Sequence, residues 1–292
     1  MLYSGRIIKG IGGYYYVQCG NVLIECRARG LFRKLNIKPL VGNIADVEST
    51  DGETGTVTNI HPRKNELIRP KVSNIDSLFI LLSANHPRPD MLLCDKLLIN
   101  SIMNKIEPVI CVNKIDDRDE CIFDEIKSSY KSFKTLFVSA KEGLGLNDIK
   151  DLIRGCTVAL AGQSAVGKSS LINAIENDMD LETGSLSSKS MRGRHTTRMS
   201  ELMYLKSCDA LIIDTPGFSS FDLTGLEPEN LRLYYPDFML YNQKCGYSSC
   251  VHMNEPECEV KKAVDAGLIS KNRYERYLKL LNMLYETRER KA

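Results

Sequence analysis

The sequence has no apolar run that approaches the roughly 18 residues needed by a membrane-spanning helix. Residues 1–10 are polar and lack the apolar core of a signal peptide. Low-complexity tracts are also missing, and the net charge of the 292 residues is only +2. These absences argue against a membrane protein, an exported protein and a disordered chain. They predict a globular protein of two or three domains.

The ten cysteines do not have the spacing of a disulfide framework. Seven of them are scattered through apolar or loop segments: Cys19, Cys26, Cys94, Cys111, Cys121, Cys156 and Cys208. In the absence of an export signal, such cysteines indicate the reducing cytosol. We therefore expect a cytoplasmic protein with no membrane partner.

The other three cysteines form a compact motif with a histidine near the C-terminus. The pattern Cys-x₄-Cys-x-His-x₅-Cys brings together Cys245, Cys250, His252 and Cys258. Three thiolates and one imidazole complete a tetrahedral site without an open position, which predicts one structural Zn²⁺. A disulfide would leave one cysteine and the histidine unexplained. We expect the metal to supply folding energy to a segment with little apolar core.

The first 70 residues consist of short β-prone segments separated by turn residues. The expected strands are residues 5–10, 14–19, 22–27, 44–48 and 55–60. Five short strands suit a small closed barrel of the oligonucleotide-binding type, and an SH3-like barrel fits the pattern almost as well.

This first segment is also the most basic part of the chain. Residues 1–70 carry 10 Lys/Arg against 6 Asp/Glu, whereas residues 71–225 carry 18 against 21. The residues that could stack on bases or contact phosphates are Tyr14, Tyr15, Tyr16, Arg27, Arg29, Arg33 and Lys34. Alternatively, alternate tyrosines belong to the barrel core and the basic residues form a solvated loop.

From residue 73 to about residue 221, short apolar segments alternate with helical ones, which is typical of a parallel α/β sheet. The expected strands are residues 78–83, 109–112, 136–138, 157–161 and 211–213, and the expected helices include 91–104 and 146–154. Each of the last four strands ends at a motif, which places the chemistry at the carboxyl edge of the sheet.

A P-loop follows the strand 157–161 and leads into a helix expected over residues 169–175. Its residues, all expected to contact the nucleotide, are Gly162, Gln163, Ser164, Ala165, Val166, Gly167, Lys168 and Ser169, followed by Ser170. The glycines let backbone N–H groups turn toward phosphates. Lys168 is expected to reach the β- and γ-phosphates as a catalytic residue, and Ser169 to bind Mg²⁺.

The strand 211–213 ends at the second phosphate motif, Asp214-Thr215-Pro216-Gly217. Asp214 is placed to hold Mg²⁺ through water, and the N–H of Gly217 can meet the γ-phosphate. This loop is therefore expected to sense whether the third phosphate is present.

Residues 183–200 are the expected first switch, because they are rich in Gly, Ser and basic residues and have no hydrophobic periodicity. We favour Thr197 over Thr196 as the residue that completes the Mg²⁺ shell, since the next apolar strand starts shortly after it. Phe218 occupies the position of the glutamine that orients water in many GTPases. His195 is the natural substitute in catalysis. Alternatively, His195 contacts RNA or fills the loop.

Two base-reading motifs precede the P-loop in the chain. Their residues expected to contact GTP are Asn113, Lys114 and Asp116, and then Ser139, Ala140 and Lys141. The Asp116 carboxylate can accept both donors of guanine, a pair that adenine lacks. The stem of Lys114 can lie over the base, and the N–H of Ala140 is positioned for the guanine carbonyl oxygen.

The order of these motifs is unusual, because in an ordinary GTPase the base-reading motifs follow the P-loop. Each motif still stands at the end of its own strand, so the order indicates circular permutation of one domain. The expected domains are a barrel over residues 1–70, a permuted GTPase over 71–225, and a mainly helical zinc domain over 226–292. The last contains an amphipathic helix at 270–290.

Together these features closely resemble the ribosome small subunit-dependent GTPase A family of bacteria, over essentially the whole chain. The resemblance implies a monomeric GTPase whose oligonucleotide-binding barrel contacts the rRNA of the maturing small ribosomal subunit. It further implies slow GTP hydrolysis, stimulated by the subunit and followed by release, with His195 taking part. Arg198 stands where some members carry a third threonine, which leaves both Thr196 and Thr197 open as Mg²⁺ ligands.

Two other functions remain compatible with the motifs. The chain could be a GTP-gated RNA-binding scaffold with little turnover, which Phe218 favours and His195 argues against. It could also be a GTPase that acts on a partner unrelated to ribosomes, although the basic barrel argues against this.

Overall fold

A computed structural model describes residues 1–67, 71–176, 201–214, 223 and 225–290. The strands in these ranges are β1 (Leu2–Ile11), β2 (Tyr14–Cys19), β3 (Val22–Ala28), β4 (Ile44–Ser49), β5 (Thr54–Ile60), β6 (Glu66–Leu67), β7 (Val72–Ser73), β8 (Ser77–Ser83), β9 (Glu107–Asn113), β10 (Lys134–Phe137), β11 (Thr157–Ala161), β12 (Glu201–Leu205) and β13 (Ala210–Asp214). The α-helices are α1 (Gly30–Lys34), α2 (Met91–Met103), α3 (Glu120–Ser129), α4 (Leu146–Ile153), α5 (Lys168–Ile175), α6 (Pro236–Asn242), α7 (Glu259–Asp265) and α8 (Lys271–Glu289).

The first five strands close into a barrel. β1 pairs antiparallel with β2 and β4, β2 with β3, and β4 with β5, whereas β3 and β5 run parallel. The helix α1 lies between β3 and β4 in the chain. This closed order is that of an oligonucleotide-binding barrel. The expected barrel is confirmed, and the SH3-like alternative is set aside.

The tyrosines of β2 divide between the two faces of the barrel wall, as alternation along a strand requires. Tyr15 packs against the barrel interior. Tyr14 lies under the guanidinium of Arg27, which is 4.7 Å from its ring centroid, and Tyr16 donates to Glu25 over 2.8 Å. The core interpretation therefore holds for Tyr15, while the outer two tyrosines pair with charged residues of β3.

The strands β8 to β13 form what we call the central sheet, in the order β10-β9-β8-β11-β13-β12. All neighbours are parallel except β12 and β13. The P-loop strand β11 lies in the middle, although the chain builds β8, β9 and β10 first. Residues 154–156 alone connect α4 to β11. The sheet thus has the arrangement of a permuted domain, as expected from the motif order.

Helices cover both faces of the central sheet. Along β8, Leu78, Ile80 and Leu82 belong to one core cluster with α2 and α3, while Phe79 and Leu81 belong to another with α4 and α5. This near-continuous apolar strand is typical of a sheet that is buried on both faces. The resulting three layers hold the strand ends, and thus the motifs, in fixed positions.

The short helix α1 was not among the expected elements, and two further elements were not expected either. The helix α3 has a largely polar sequence, and its buried apolar residues are only Ile122, Phe123 and Ile126. Its start is fixed by Asp119, whose carboxylate accepts from the N–H of Ile122 over 3.1 Å. The second is the two-residue ribbon β6–β7, which is too short to give a sequence pattern.

Residues 225–290 form what we call the C-terminal module. Helices α6, α7 and α8 and a 3₁₀-helix (Pro228–Tyr234) pack around the aromatic rings of Tyr235, Phe238 and Tyr277. The long helix α8 agrees with the predicted helix at 270–290, and Ser270 caps it. None of the helices in the described ranges has the length and apolar character needed to cross a bilayer.

Candidate nucleotide site and metal cluster

The backbone of the P-loop requires glycine at two positions. Gly162 has φ of 139°, and a Cβ there would lie 2.4 Å from the carbonyl oxygen of Leu81. Gly167 has φ of 95°, and its Cβ would lie 2.4 Å from Nδ2 of Asn113. A side chain at either position would force strain and a collision. The two glycines therefore allow the P-loop to pass close to the strands β8 and β9.

The helix α5 begins at Lys168, directly behind the loop. Its first turn has no acidic residue and no side-chain cap, so the partial positive charge of its N-terminus faces the loop without a competing carboxylate. The Lys168 ammonium donates to the carbonyl oxygens of Gly162 and Gln163, over 2.8 and 2.7 Å. Ser169 and Ser170 follow in the same turn. This arrangement suits a phosphate chain.

The side chain of Gln163 points away from the loop interior. Its Oε1 accepts from the N–H of Asp90 over 2.6 Å, and its Nε2 donates to the carbonyl of Arg88 over 3.1 Å. Asp90 is the N-cap of α2. The side chain of Gln163 thus ties the P-loop to the start of α2, which leaves only its backbone for a nucleotide contact.

Asn113 joins the two halves of the predicted nucleotide site. Its side chain is 2% exposed, donates to the carbonyl of Val166 over 3.0 Å and accepts from the N–H of Ala140 over 3.0 Å. The P-loop and the Ser139-Ala140-Lys141 segment are thereby held in one position. The N–H of Ala140, expected to meet guanine, is engaged by Asn113 here, so a guanine oxygen would compete for it.

Asp116 is an exposed carboxylate at the mouth of the site, supported by a buried serine. The hydroxyl of Ser139 donates to Asp116 Oδ1 and itself accepts from the N–H of Glu142 over 3.1 Å. The hydrogen bond from Ser139 is the main reason why the pKa of Asp116 lies below its usual range. Asp116 is therefore ionised near neutral pH, the form that accepts two hydrogen bonds from one ligand edge.

The two lysines of the base-reading motifs differ in their constraints. Lys114 has φ of 65° and donates to the carbonyls of His86 and Ala165, over 2.6 and 3.0 Å. Its stem is therefore held along one wall of the site. Lys141 is exposed and pairs with Glu142 over 3.2 Å.

A cavity of about 520 Å³ unites these motifs. Its lining residues come from the base-reading segments and from the P-loop: Asn113, Lys114, Asp116, Asp117, Ala140, Lys141, Gly167 and Ser170. The volume lies within the range of small-molecule sites. Sequence motifs separated by more than fifty residues therefore share one pocket.

The magnesium side of the site is described in part. Ser169 lies in the first turn of α5, and Asp214 is the last residue of β13, paired with Leu160 of the P-loop strand. Both stand at the carboxyl edge of the sheet. The predicted residues His195, Thr196, Thr197 and Gly217, together with Phe218, lie outside the described residues, as does the side chain of Asp214.

The four predicted metal ligands converge in the C-terminal module. The ligand atoms of Cys245, Cys250, His252 and Cys258 all lie within 4.8 Å of one another. Nδ1 of His252 is 3.7, 3.2 and 3.3 Å from the sulfurs of Cys245, Cys250 and Cys258. In a tetrahedral zinc site, with Zn–S of about 2.3 Å and Zn–N of about 2.0 Å, this separation is about 3.5 Å. The cluster therefore has the dimensions of a Cys₃His site.

The surroundings of the cluster fix the histidine. Tyr274 donates to the carbonyl of His252, and Tyr277 donates to that of Val251, both over 2.6 Å. Burial lowers the pKa of His252 to about 4, so its imidazole is neutral at pH 7. Burial also raises the pKa of Cys250 to about 12. The thiolate form of such a buried cysteine requires a bound cation.

Sequence reasoning missed several residues of these sites. The hydrogen bond from Ser139 to Asp116 joins two motifs that were predicted separately, and the bond from Gln163 to Arg88 joins the P-loop to a residue that no motif names. Asp117 lines the cavity beside the recognised Asp116. Its position in the run Lys114-Ile115-Asp116-Asp117 was the available signal.

A P-loop strand in the middle of the central sheet, base-reading motifs on earlier strands and one shared cavity define a circularly permuted GTPase. The sequence profile of the RsgA GTPase family matches residues 60–224, more than half of the chain, and that of the RsgA N-terminal domain matches residues 4–57. The chain belongs to the RsgA GTPase family. The resemblance stated from the motifs is thereby confirmed, as are the GTPase class and the fold class.

Relatives and solved structures match over nearly the full length. The small ribosomal subunit biogenesis GTPase RsgA of Caldanaerobacter subterraneus is 42% identical over 290 residues, which cover 99% of this chain and 98% of that protein. The RsgA of Agathobacter rectalis is 43% identical, with 97% of both chains covered. The crystal structure of YjeQ from Thermotoga maritima has a TM-score of 0.84 and 30% identity, covering 98% of this chain and 99% of that one. The crystal structure of YloQ, a circularly permuted GTPase, has a TM-score of 0.79 and 34% identity, covering 98% and 96%.

Proposed function

We propose that this GTPase binds the small ribosomal subunit and assists its late maturation, with subunit-stimulated hydrolysis of GTP driving its release. The observation that carries the nucleotide part is the cavity shared by Asp116, Ala140 and the P-loop. The ribosomal part is supported by the names of relatives that match the chain from end to end. The rRNA is the expected contact of the basic barrel, the protein is expected to be a cytoplasmic monomer, and no membrane partner is expected.

Recognition of GTP is assigned to both halves of the cavity. The ionised carboxylate of Asp116 accepts from the ring N–H and the exocyclic amine of guanine, while the stem of Lys114 lies over the base. The backbone of residues 162–169 cradles the phosphates, and Lys168 offsets charge on the β- and γ-phosphates. ATP is rejected because adenine would leave the carboxylate without its paired donors.

Hydrolysis is assigned to residues at the carboxyl edge of the sheet. Ser169 and Asp214, with Thr197 favoured over Thr196, would hold Mg²⁺, which neutralises phosphate charge when bound. The N–H of Gly217 would meet the γ-phosphate. His195 would orient the attacking water or accept its proton, in the place of the glutamine that Phe218 replaces.

One structural Zn²⁺ is assigned to Cys245, Cys250, His252 and Cys258. The support is the near-tetrahedral spacing of the ligand atoms and the burial of three of the four residues. The site has no open coordination position, so its contribution is to folding of the C-terminal module.

The test of this function is GTP hydrolysis by the purified protein with and without isolated ribosomal subunits. We expect strong stimulation by small subunits and none by large ones. His195→Ala should abolish the stimulated turnover and leave GTP binding intact, because His195 is assigned to water and not to the nucleotide. Tight GTP binding without any stimulation would favour the RNA-binding scaffold instead, and unchanged turnover in His195→Ala would remove this residue from catalysis.

A further inference from the structure

One strand of the barrel is also part of the central sheet. β1 pairs with β2 and β4 within the barrel, and its far end pairs with β12 at the edge of the central sheet. The β1–β2 register shifts between Ile7 and Lys9. Ile7 is fully buried in the barrel core, whereas Ile8 packs against the core cluster of the central sheet. This irregularity therefore directs neighbouring residues into two different cores.

Lys9 begins a row of paired residues that crosses the sheet. Its partner on β12 is Glu201, and the partner of Glu201 on β13 is Asp214. The Lys9 ammonium lies 2.9 Å from the Glu201 carboxylate. Two steps across neighbouring strands thus separate the barrel from the predicted magnesium residue.

Glu201 and Asp214 lie next to the two predicted switches in the chain. Glu201 is the first residue of β12 and directly follows residues 183–200, the predicted first switch. Asp214 is the last residue of β13 and directly precedes the rest of the second phosphate motif. The hairpin β12–β13 therefore joins the two predicted switches, and Lys9 contacts its open end.

We propose that Lys9 and Glu201 are positioning residues that couple the placement of the barrel to the γ-phosphate end of the nucleotide site. When both switches hold a γ-phosphate, they fix the open end of the hairpin β12–β13. Because Glu201 at this end contacts Lys9, the position of β1 is fixed as well. Conversely, an RNA partner that moves the barrel shifts the strand end that carries Asp214. The proposal rests on the proposed function for the identity of that partner and for the assignment of Asp214 and the two switches to Mg²⁺ and the γ-phosphate.

The coupling is tested by charge reversal in the full-length protein. The variants are Lys9→Glu, Glu201→Lys and the double exchange, and the binding of GDP and of a non-hydrolysable GTP analogue is measured by calorimetry at several Mg²⁺ concentrations. Each single variant places like charges together at the open end. We expect each single variant to weaken the binding of the GTP analogue by about two- to fivefold, the size typical of an exposed ion pair. GDP, which lacks the γ-phosphate, should bind unchanged.

The double variant separates a positional effect from the electric field of the introduced charges. If the pair acts by holding β1 to β12, the exchange restores the attraction and returns analogue binding to the wild-type value. If only the field at the metal matters, the double variant behaves like Glu201→Lys, because a lysine again stands next to Asp214, and the proposal is wrong. A single variant that weakens the binding of GDP as much as that of the analogue would also overturn the proposal.

A matched control comes from the C-terminal module. Arg288 and Glu229 form a long-range ion pair of 2.8 Å whose side chains are 49% and 52% exposed, compared with 32% and 50% for Lys9 and Glu201. Reversal of either control charge should leave the analogue-to-GDP ratio unchanged. These binding measurements need no ribosome, so they test the coupling even if small subunits do not stimulate GTP hydrolysis. If stimulation is found, Lys9→Glu should reduce it by a similar factor.

Discussion

The barrel and the C-terminal module contact the central domain in different ways. The barrel shares a β-ladder with the edge strand β12, and its ion pair at Lys9 is partly exposed on both sides. The C-terminal module instead buries charge: Arg273 and Asp95 are each 1% exposed and lie 3.0 Å apart. The first joint lies at Glu201, beside the strand ends that flank the two predicted switches, whereas the second contacts helix α2.

The buried joint is a network with several partners. Arg276 donates to Asp95 over 2.6 Å and to Glu125 over 3.2 Å, while Arg273 also pairs with Asp237. Three aromatic rings lie within about 5 Å of the Arg273 guanidinium. Such a network stabilises only when every charge is paired, so the loss of one partner is costly. The comparison predicts a rigid attachment for the C-terminal module and a weaker ionic contact where β1 meets β12.

The largest effect is expected from the metal cluster that supports the C-terminal module. Cys250→Ser should abolish zinc binding and unfold the module, because structural Zn²⁺ contributes about 10–16 kcal/mol in isolated peptides. Metal analysis of the purified full-length protein measures the loss of zinc, and limited proteolysis measures whether cleavage increases within residues 226–290. The matched control is Cys121→Ser, since Cys121 is a free, exposed cysteine of α3. Unchanged proteolysis in a zinc-free Cys250→Ser protein would show that the metal is not structural.

The second largest effect is expected at the buried ion network. Asp95→Asn leaves the charge of Arg273 with one acidic partner fewer in a dry environment, so we expect a loss of about 3–5 kcal/mol in unfolding free energy. Urea unfolding followed by tyrosine fluorescence measures the change. Glu229→Gln, at the exposed pair with Arg288, should cost less than about 1 kcal/mol. Equal losses in the two variants would remove the contrast between buried and exposed pairs.

A smaller, pH-dependent effect is expected where the barrel meets the start of β11. Although burial acts in the opposite direction, hydrogen bonds from Lys64 and the backbone of Thr157 hold the pKa of Asp76 below its usual value of 3.8. Because the pKa of Asp76 is lower in the folded than in the unfolded protein, its ionised carboxylate stabilises the fold above about pH 4. This stabilisation is lost as the pH falls through the folded-state pKa. Asp76→Asn should therefore cost about 1 kcal/mol at pH 7, because 40% of the side chain is exposed.

The measurement for Asp76 is a series of urea unfolding curves between pH 7 and pH 3.5, for both the wild type and Asp76→Asn. The difference in unfolding free energy should be constant down to about pH 4 and then shrink. A difference that stays constant to the lowest pH would mean that the charge of Asp76 does not contribute.

The elements that sequence analysis predicted well are those whose pattern is local. The strands β8 and β11 are continuous apolar runs, and α2 begins and ends within one residue of its predicted bounds. The placement of the motifs could be predicted because each follows a parallel strand, and parallel strands bring their carboxyl ends to one edge of the sheet. The Cys-His cluster followed from spacing alone.

The unpredicted contacts join distant parts of the chain. Arg273 and Asp95 are 178 residues apart, and Lys9 and Glu201 are 192 apart. In the sequence, Asp95 is a charged residue within an apolar helix, and its partner cannot be identified without the fold. The bond from Gln163 to Arg88 is a similar case, since a P-loop pattern specifies no side chain at that position.

The smallest stability effect is expected for Lys9→Met, at the joint of the barrel. Its ion pair with Glu201 is partly exposed, so the loss in unfolding free energy should stay below about 1 kcal/mol, as measured by urea unfolding. The same variant should still lower the ratio of GTP-analogue to GDP affinity, because the pair lies at the open end of the hairpin β12–β13. A loss of several kcal/mol would instead make Lys9 a structural residue. A weak contact in this position is useful for regulation, since a partner that binds the barrel can displace it without unfolding the sheet.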